Sequence, residues 1–389
     1  VLIATRLVLF LCLLGLTGCG PKAVQAADPL AFKPVGPAVA GGARSELDAR
    51  IEFLEQRMKQ RPDAFLEQAE LAGLYLQKGK LRQQTQQLEK AREWADRSLA
   101  VFPNNMARVV KADLLQMEHR FEDSLAILGQ VLADEPGQLE ARALAVRALL
   151  AQGKPEQADL ALAPVAAEPL FAFRFLQGQI WEAKGDLAKA VDLYQQALGR
   201  EREMGSPSES ARLRAVWARL EMARGDLEMA QRLLGAAKAI PVEVPLVDLQ
   251  RAKLAMAQKQ WKQAADILRD GYALYQEPLF LMELGAVQEA QGQTQEAAKS
   301  YQAAADLIKS HPFGHERDRA LALLKLDAKA HKAEILALMD QELARRRDPA
   351  TLDVWRQVNE LLGPLPEPAP FPSHDPIADA AKAKPPLTP

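Results

Sequence analysis

Cysteine is nearly missing from this chain: only Cys12 and Cys19 occur in 389 residues, both before residue 20. Everything after them lacks the means to form an internal disulfide, and has no thiolate for nucleophilic catalysis or zinc binding. Aromatic residues are sparse at 6%, fewer than a large β-sandwich would place in its strands. Neither sign of charge dominates. Lys and Arg number 49 against 51 Asp and Glu, a net charge of -2, which argues against a general nucleic-acid binder. Long apolar runs are absent too. The run from Leu7 to Leu16 covers ten residues, about half of the roughly 20 that a bilayer-spanning helix needs.

Signatures of chemistry are equally scarce. There is no G-x-S-x-G elbow, no glycine-rich phosphate loop and no H-E-x-x-H. The five histidines, His119, His311, His315, His331 and His374, are scattered. His311 and His315 have i,i+4 spacing, but Pro312 and Gly314 spoil the helix that a metal pair at that spacing requires. The expectation is a chain with no metal, no cofactor and no enzymatic activity.

The hydrophobic fraction of 48% and charged fraction of 26% are those of folded domains. At the start, Arg6 precedes the apolar run, which ends in Leu16-Thr17-Gly18-Cys19. A cation, a short apolar stretch and small residues make an export signal. The last four residues resemble the lipobox of bacterial lipoproteins. That resemblance implies loss of residues 1–18 as a signal peptide and lipidation of Cys19. Two or three acyl chains anchor a protein stably where one binds only marginally. Gly20 resembles the class sorted to the outer membrane. The expected location is therefore the cell envelope: the outer membrane facing the periplasm in a two-membrane cell, otherwise the outer face of the plasma membrane.

Proline divides the rest. Pro21, Pro29, Pro34 and Pro37 stand among Gly and Ala, so 19–44 reads as the lipidated cysteine and a flexible tether. Residues 364–389 hold nine of the 25 prolines and read as a Pro-rich disordered tail, a spacer more readily than a docking peptide.

Between these ends the chain repeats itself. Phe175-Leu176-Gln177-Gly178, Trp181, Gly185-Asp186-Leu187, Ala190, Tyr194 and Ala197 make one copy. Trp217-Ala218, Gly225-Asp226-Leu227, Ala230, Leu234 and Ala237 make the next, and Leu284-Gly285, Gly292-Gln293-Thr294, Ala297, Tyr301 and Ala304 another. Small residues on both helices of a hairpin permit close approach, and a left-handed glycine reverses the chain between them. The pattern resembles the tetratricopeptide repeat, a helix-turn-helix unit of 34 residues.

Turn positions fall at Gly79, His119, Gly153, Gly185, Gly225, Lys259 and Gly292. The expected fold is all-α: a right-handed α-solenoid of about seven units over 45–315, with 316–363 as a helical cap or degenerate repeat. The apolar stripe from Leu81 to Phe102 suggests that the first unit's second helix is lengthened to about 23 residues, or 34 Å. GREREMGSPSES after Leu198 reads as a long loop, and Pro164 should end the third unit's second helix early. Arg345, Arg346 and Arg347 read as a solvated end of the cap.

The resemblance also implies a ligand face on the first helix of each unit. Counting back from the turns, it offers Arg147, Gln179, Glu182, Arg212, Arg219, Met222, Lys253 and Met256. Four cations and one acid describe a mildly basic groove suited to an acidic segment or a C-terminal carboxylate. The functional expectation is a membrane-anchored scaffold for other envelope proteins or peptide segments, without nucleic acid, in assembly of an envelope, pilus or secretion machine. A second reading is a regulator or binder of peptidoglycan or cell-wall enzymes, or a glycan-binding or processing protein. That reading calls for an aromatic, carboxylate-lined groove, and the eight face residues include no aromatic.

Overall fold

A computed structural model describes residue 30, residues 42–81, 85–167, 170–201, 206–310 and 315–363, and residues 371 and 377. The export signal and Cys19 lie outside the described residues, as does most of the tether and the Pro-rich tail. The described residues form eighteen α-helices and no strand.

Helix α1 (Gly42–Gln60) precedes the repeats. Eight hairpins follow. The first four pair α2 (Phe65–Leu81) with α3 (Thr85–Val101), α4 (Asn105–Met117) with α5 (Phe121–Asp134), α6 (Leu139–Ala151) with α7 (Pro155–Leu162), and α8 (Phe171–Ala183) with α9 (Leu187–Gly199). The other four pair α10 (Pro207–Ala223) with α11 (Leu227–Lys238), α12 (Pro245–Ala257) with α13 (Trp261–Tyr275), α14 (Pro278–Ala290) with α15 (Thr294–Lys309), and α16 (Glu316–Asp327) with α17 (Lys332–Leu343). A single helix, α18 (Pro349–Leu362), closes the array. The segment expected as a cap or degenerate repeat is thus an eighth hairpin plus one helix.

Six of the seven expected turn residues carry a left-handed backbone: His119, Gly153, Gly185, Gly225, Lys259 and Gly292 have φ between 55° and 86°. Asp186 and Asp226 then cap the following helices, accepting from the backbone N–H of Lys189 and Met229. Gly79 is the exception. It lies inside α2, where an added Cβ would come within 2.5 Å of Leu88 Cδ2, so glycine there permits α2 to pack closely on α3. The first unit consequently has two helices of 17 residues each in place of one lengthened second helix. Helix α7 has eight residues and passes into a 3-10 turn containing Pro164, as the sequence predicts. The loop of the fourth unit is shorter than expected. Ser206 caps α10, accepting from Glu209 N at 3.2 Å, and Pro207 takes the first helical position.

Each second helix packs on the first helix of the next unit, and first helices pack on one another: α2 on α4, α4 on α6, α6 on α8, α10 on α12 and α12 on α14. The second helices make no comparable contact among themselves within the described residues. The first helices are therefore the tighter, inner row of a curved stack. Inside each hairpin the expected small residues admit a large one. A Cβ on Gly178 would meet the Tyr194 ring at 2.3 Å, and one on Gly285 would meet the Tyr301 ring at 2.5 Å.

The array curves back on itself. The Arg347 backbone N–H donates to Ala151 O at 2.9 Å, and a Cβ on Gly153 would lie 2.7 Å from Arg347 O. This corrects the solvated reading for Arg346 and Arg347, which are part-buried, while Arg345 stays exposed. Arg345 pairs with Glu316 at 3.2 Å, Arg346 with Asp348 at 2.5 Å, and Arg347 Nε donates to Leu343 O at 2.9 Å. Single residues of both end segments also rest on the stack. Leu30 is buried and accepts from Arg214 Nε at 2.8 Å. The Phe371 ring centroid sits 4.0 Å from Arg347 Cζ and 5.0 Å from Lys154 Nζ, and Ile377 packs on the α4–α8 cluster.

Candidate interaction surface

A first helix in this stack is covered by its own second helix, by the preceding second helix and by neighbouring first helices. Little of its length reaches solvent. Along residues 141–150 of α6 the only exposed side chain is Arg147. Along 211–221 of α10 the exposed ones are Arg212 and Arg219, seven residues apart and hence on one face. Along 247–256 of α12 it is Lys253. All four are cations, and all four are residues that the repeat pattern assigned to the inner face.

Two of them have acidic partners that sit deeper, on neighbouring units. Arg219 Nη2 lies 2.5 Å from Glu182 Oε1, joining α10 to α8, and Lys253 Nζ lies 2.8 Å from Glu283 Oε1, joining α12 to α14. Lys80 with Asp113, and Lys325 with Glu289 at 3.2 Å, repeat the arrangement towards either end. The cations stand outermost: the Arg219 side chain is 51% exposed against 16% for Glu182, and Lys253 44% against 23% for Glu283. A surface ion pair contributes little to stability, on the order of 0–1 kcal/mol, so these cations can exchange partners cheaply. Pairing nevertheless weakens the basic character that counting residues implies.

Glu182 has a second task. Tyr194 donates its hydroxyl to Glu182 Oε2 at 2.8 Å, and burial first, then the Glu182 charge, pushes the phenol far above its ordinary value. The residue is thus held between core and surface. Gln179 is half-buried beside it. Met222 and Met256 are placed differently: both are partly buried and pack on core clusters, which leaves them little open area.

The structure adds acids that positional counting missed. Glu140, at the start of α6, reaches solvent, yet surrounding protein and then the Asp113 charge raise its carboxyl above the ordinary range, opposed by Lys80 and Arg147. Glu277, ahead of α14, is raised by burial and opposed by His315 and Arg212. Arg147 and Arg212 therefore feel nearby acids, although among the described residues Arg212 makes only a 3.9 Å contact, with Glu209. Away from this face, His119, Glu316 and Glu342 converge where the second unit meets the eighth. No local spacing in the sequence links them, which is why the histidines gave no metal expectation.

The tetratricopeptide repeat family profile matches residues 115–169, the end of α4 to just beyond the third unit. A tetratricopeptide repeat protein from Parabacteroides merdae is 15% identical, with TM-score 0.50, over 64% of this chain and 94% of that one. The fold is that of a tetratricopeptide-type solenoid. Human IFIT1, solved with m7Gppp-AAAA, is 12% identical with TM-score 0.52, over 82% of this chain and 78% of that one. The APC/C hetero-tetramer Cut9–Hcn1 matches at 18% identity and TM-score 0.49, covering 76% of this chain, which spans 58% of the length of that one. The likeness to the Parabacteroides merdae protein and to IFIT1 is one of fold. No curated protein matches the chain in sequence.

Proposed function

We propose that this tetratricopeptide-type chain is a non-enzymatic adaptor of the cell envelope, anchored through lipid on Cys19, that grips acidic or carboxylate-ended segments of other envelope proteins. The observation that carries this reading is the inner face, where every exposed mid-helix position of α6, α10 and α12 is a cation. An acidic peptide laid along the first helices would take over ion pairs that Arg219 and Lys253 now make with half-buried acids. Repeat hairpins account for nearly all of the described chain, leaving little of it for a catalytic domain. A glycan groove is less well supported. Trp181, the aromatic nearest Glu182 in sequence, is covered by Lys189 and Lys184, 3.3 and 4.7 Å from its ring centroid.

Arg147 and Arg212 are the sharpest positions to test, because reversing Arg219 would also strand Glu182. In cells, a photo-crosslinker placed at Gln179 should yield discrete protein adducts identifiable by mass spectrometry. Arg147→Glu with Arg212→Glu should reduce them about tenfold, with helical circular dichroism unchanged. Undiminished adducts in a folded double variant would place the partner elsewhere.

The anchor is tested separately. The reading rests on Leu16-Thr17-Gly18-Cys19, and no described helix is long and apolar enough to cross a membrane. Cys19→Ala should abolish metabolic labelling by palmitate and release the protein from the membrane fraction. Retained label would sink the lipoprotein assignment while leaving the adaptor reading intact.

A further inference from the structure

Where the eighth unit meets the second, four buried polar atoms have no hydrogen-bond partner among the described residues: His119 Nδ1, Glu316 Oε2 and both carboxylate oxygens of Glu342. Buried polar atoms are nearly always satisfied, so a cluster of orphans points to something that completes them. The three side chains each bring a ligand atom within 4.8 Å of the others. Glu342 is fully buried, at 0% exposure, and its Oε2 lies 3.6 Å from His119 Nδ1. That is too long for a hydrogen bond, but two ligands sharing a tetrahedral zinc ion at about 2.1 Å stand about 3.4 Å apart.

The surroundings hold these groups in place without satisfying them. His119 is a turn residue with φ 55°, and its ring stacks on Phe121 with centroids 5.6 Å apart, which fixes the imidazole. Glu316 opens α16, and its Oε1 accepts from Arg345 at 3.2 Å, leaving Oε2 free. Arg346 Nη1 is 3.9 Å from Glu342 Oε1, while its Nε is bonded to Asp348. Arg317 pairs with Asp318 at 2.8 Å and lies 3.8 Å from Asp348, and His315 lies 3.4 Å from Asp318. The neighbouring cations are thus matched to other acids, and among the described residues none donates a hydrogen bond to the Glu342 carboxylate.

We propose that His119, Glu316 and Glu342 form a binding site for one divalent transition-metal ion of the zinc type. An imidazole nitrogen with two carboxylate oxygens gives three protein ligands, with the fourth position open to water or to the second Glu342 oxygen. A donor set containing an imidazole nitrogen favours zinc or cobalt over magnesium, calcium and manganese. The ligands come from the turn of the second unit and from both helices of the eighth. The ion would therefore tie together the two arms of the curve, beside the Arg347–Ala151 contact, and set how far the inner face opens.

The test uses the full chain, stripped with a chelator and titrated with zinc, cobalt and magnesium. One equivalent of zinc should bind at micromolar concentration, magnesium should not compete, and cobalt should develop visible d–d absorption. Zinc should raise Tm and reduce the radius of gyration in solution scattering. Glu342→Gln and His119→Gln should each weaken zinc binding at least about tenfold and remove both effects. If the buried Glu342 variant does not fold, His119→Gln decides the matter, because Lys259 shows that this left-handed turn accepts a long side chain (φ 58°). Failure of the unaltered chain to bind zinc, or unchanged affinity in a folded variant, overturns the proposal.

Discussion

Arg214→Met is expected to destabilise the protein by about 3–5 kcal/mol, the usual cost of breaking a buried ion pair by removing one partner. Arg214 is fully buried, at 0% exposure, in the first helix of the fifth unit. Its Nη1 lies 2.6 Å from Glu201 Oε1 and its Nη2 3.2 Å from Glu201 Oε2, a two-pronged pair. Nε serves the Leu30 carbonyl at 2.8 Å. Removing the guanidinium strands the Glu201 carboxylate, itself 5% exposed, and leaves the Leu30 oxygen without this donor. The companion variant separates these effects. Arg214→Met with Glu201→Met removes both charges, and buried pairs replaced by apolar residues of similar volume are often neutral or better. Urea unfolding followed by circular dichroism should therefore show the double variant regaining most of the loss. If the two variants unfold alike, the stranded charge is not the cause, and lost packing around Leu30 becomes the explanation.

That pair also marks a limit of reading the sequence. Arg214 sits in an amphipathic helix among other arginines, and nothing local separates it from Arg212 or Arg219. Arg212 and Arg219 are seven residues apart and share the open face, while Arg214 is turned inward. The turns were far easier to read. A glycine after a helical run followed by Asp-Leu defines both a left-handed reversal and the next N-cap, so Gly185 and Gly225 were legible outright. His119 and Lys259 were found only because the spacing of the other turns required residues there. Gly79 misled because glycine has two uses in this fold. It reverses the chain where φ is positive, and it admits a bulky neighbour where the helix continues; only the position of Leu88 tells them apart.

For the candidate face, the repeat register located the exposed cations but not their partners. The acids that pair with Arg219 and Lys253 come from neighbouring units, so the pairing of Glu182 with Arg219 or Glu283 with Lys253 depends on how one hairpin is rotated on the next. Sequence periodicity describes a helix and its own core-facing stripe; it contains no information on that rotation. The convergence of His119 with Glu316 and Glu342 lies further still from local pattern, since it requires the whole array to bend until the eighth unit reaches the second. Curvature accumulates from small rotations at every interface.

Phe280→Ala should have an effect of similar size, about 3–5 kcal/mol, but a different character. Phe280 is 0% exposed at the start of α14 and stacks on Tyr275 with ring centroids 5.5 Å apart. Its ring fills the notch left by Gly271 on α13, where a Cβ would approach within 2.1 Å. Adding that carbon, Gly271→Ala, should itself cost about 1–3 kcal/mol through overpacking. Gly271→Ala combined with Phe280→Leu should recover part of it, as expected if the two positions act as one fitted pair. This contact joins the sixth and seventh units. In a stack whose stability is the sum of units and interfaces, deleting it weakens a single joint. Hydrogen exchange should then show α14–α18 opening before α2–α12. The Arg347–Ala151 contact opposes that outcome, because it ties the last units to the third across the curve. Equal loss of protection in every helix would mean that closure, and not stacking alone, makes the array unfold as one body.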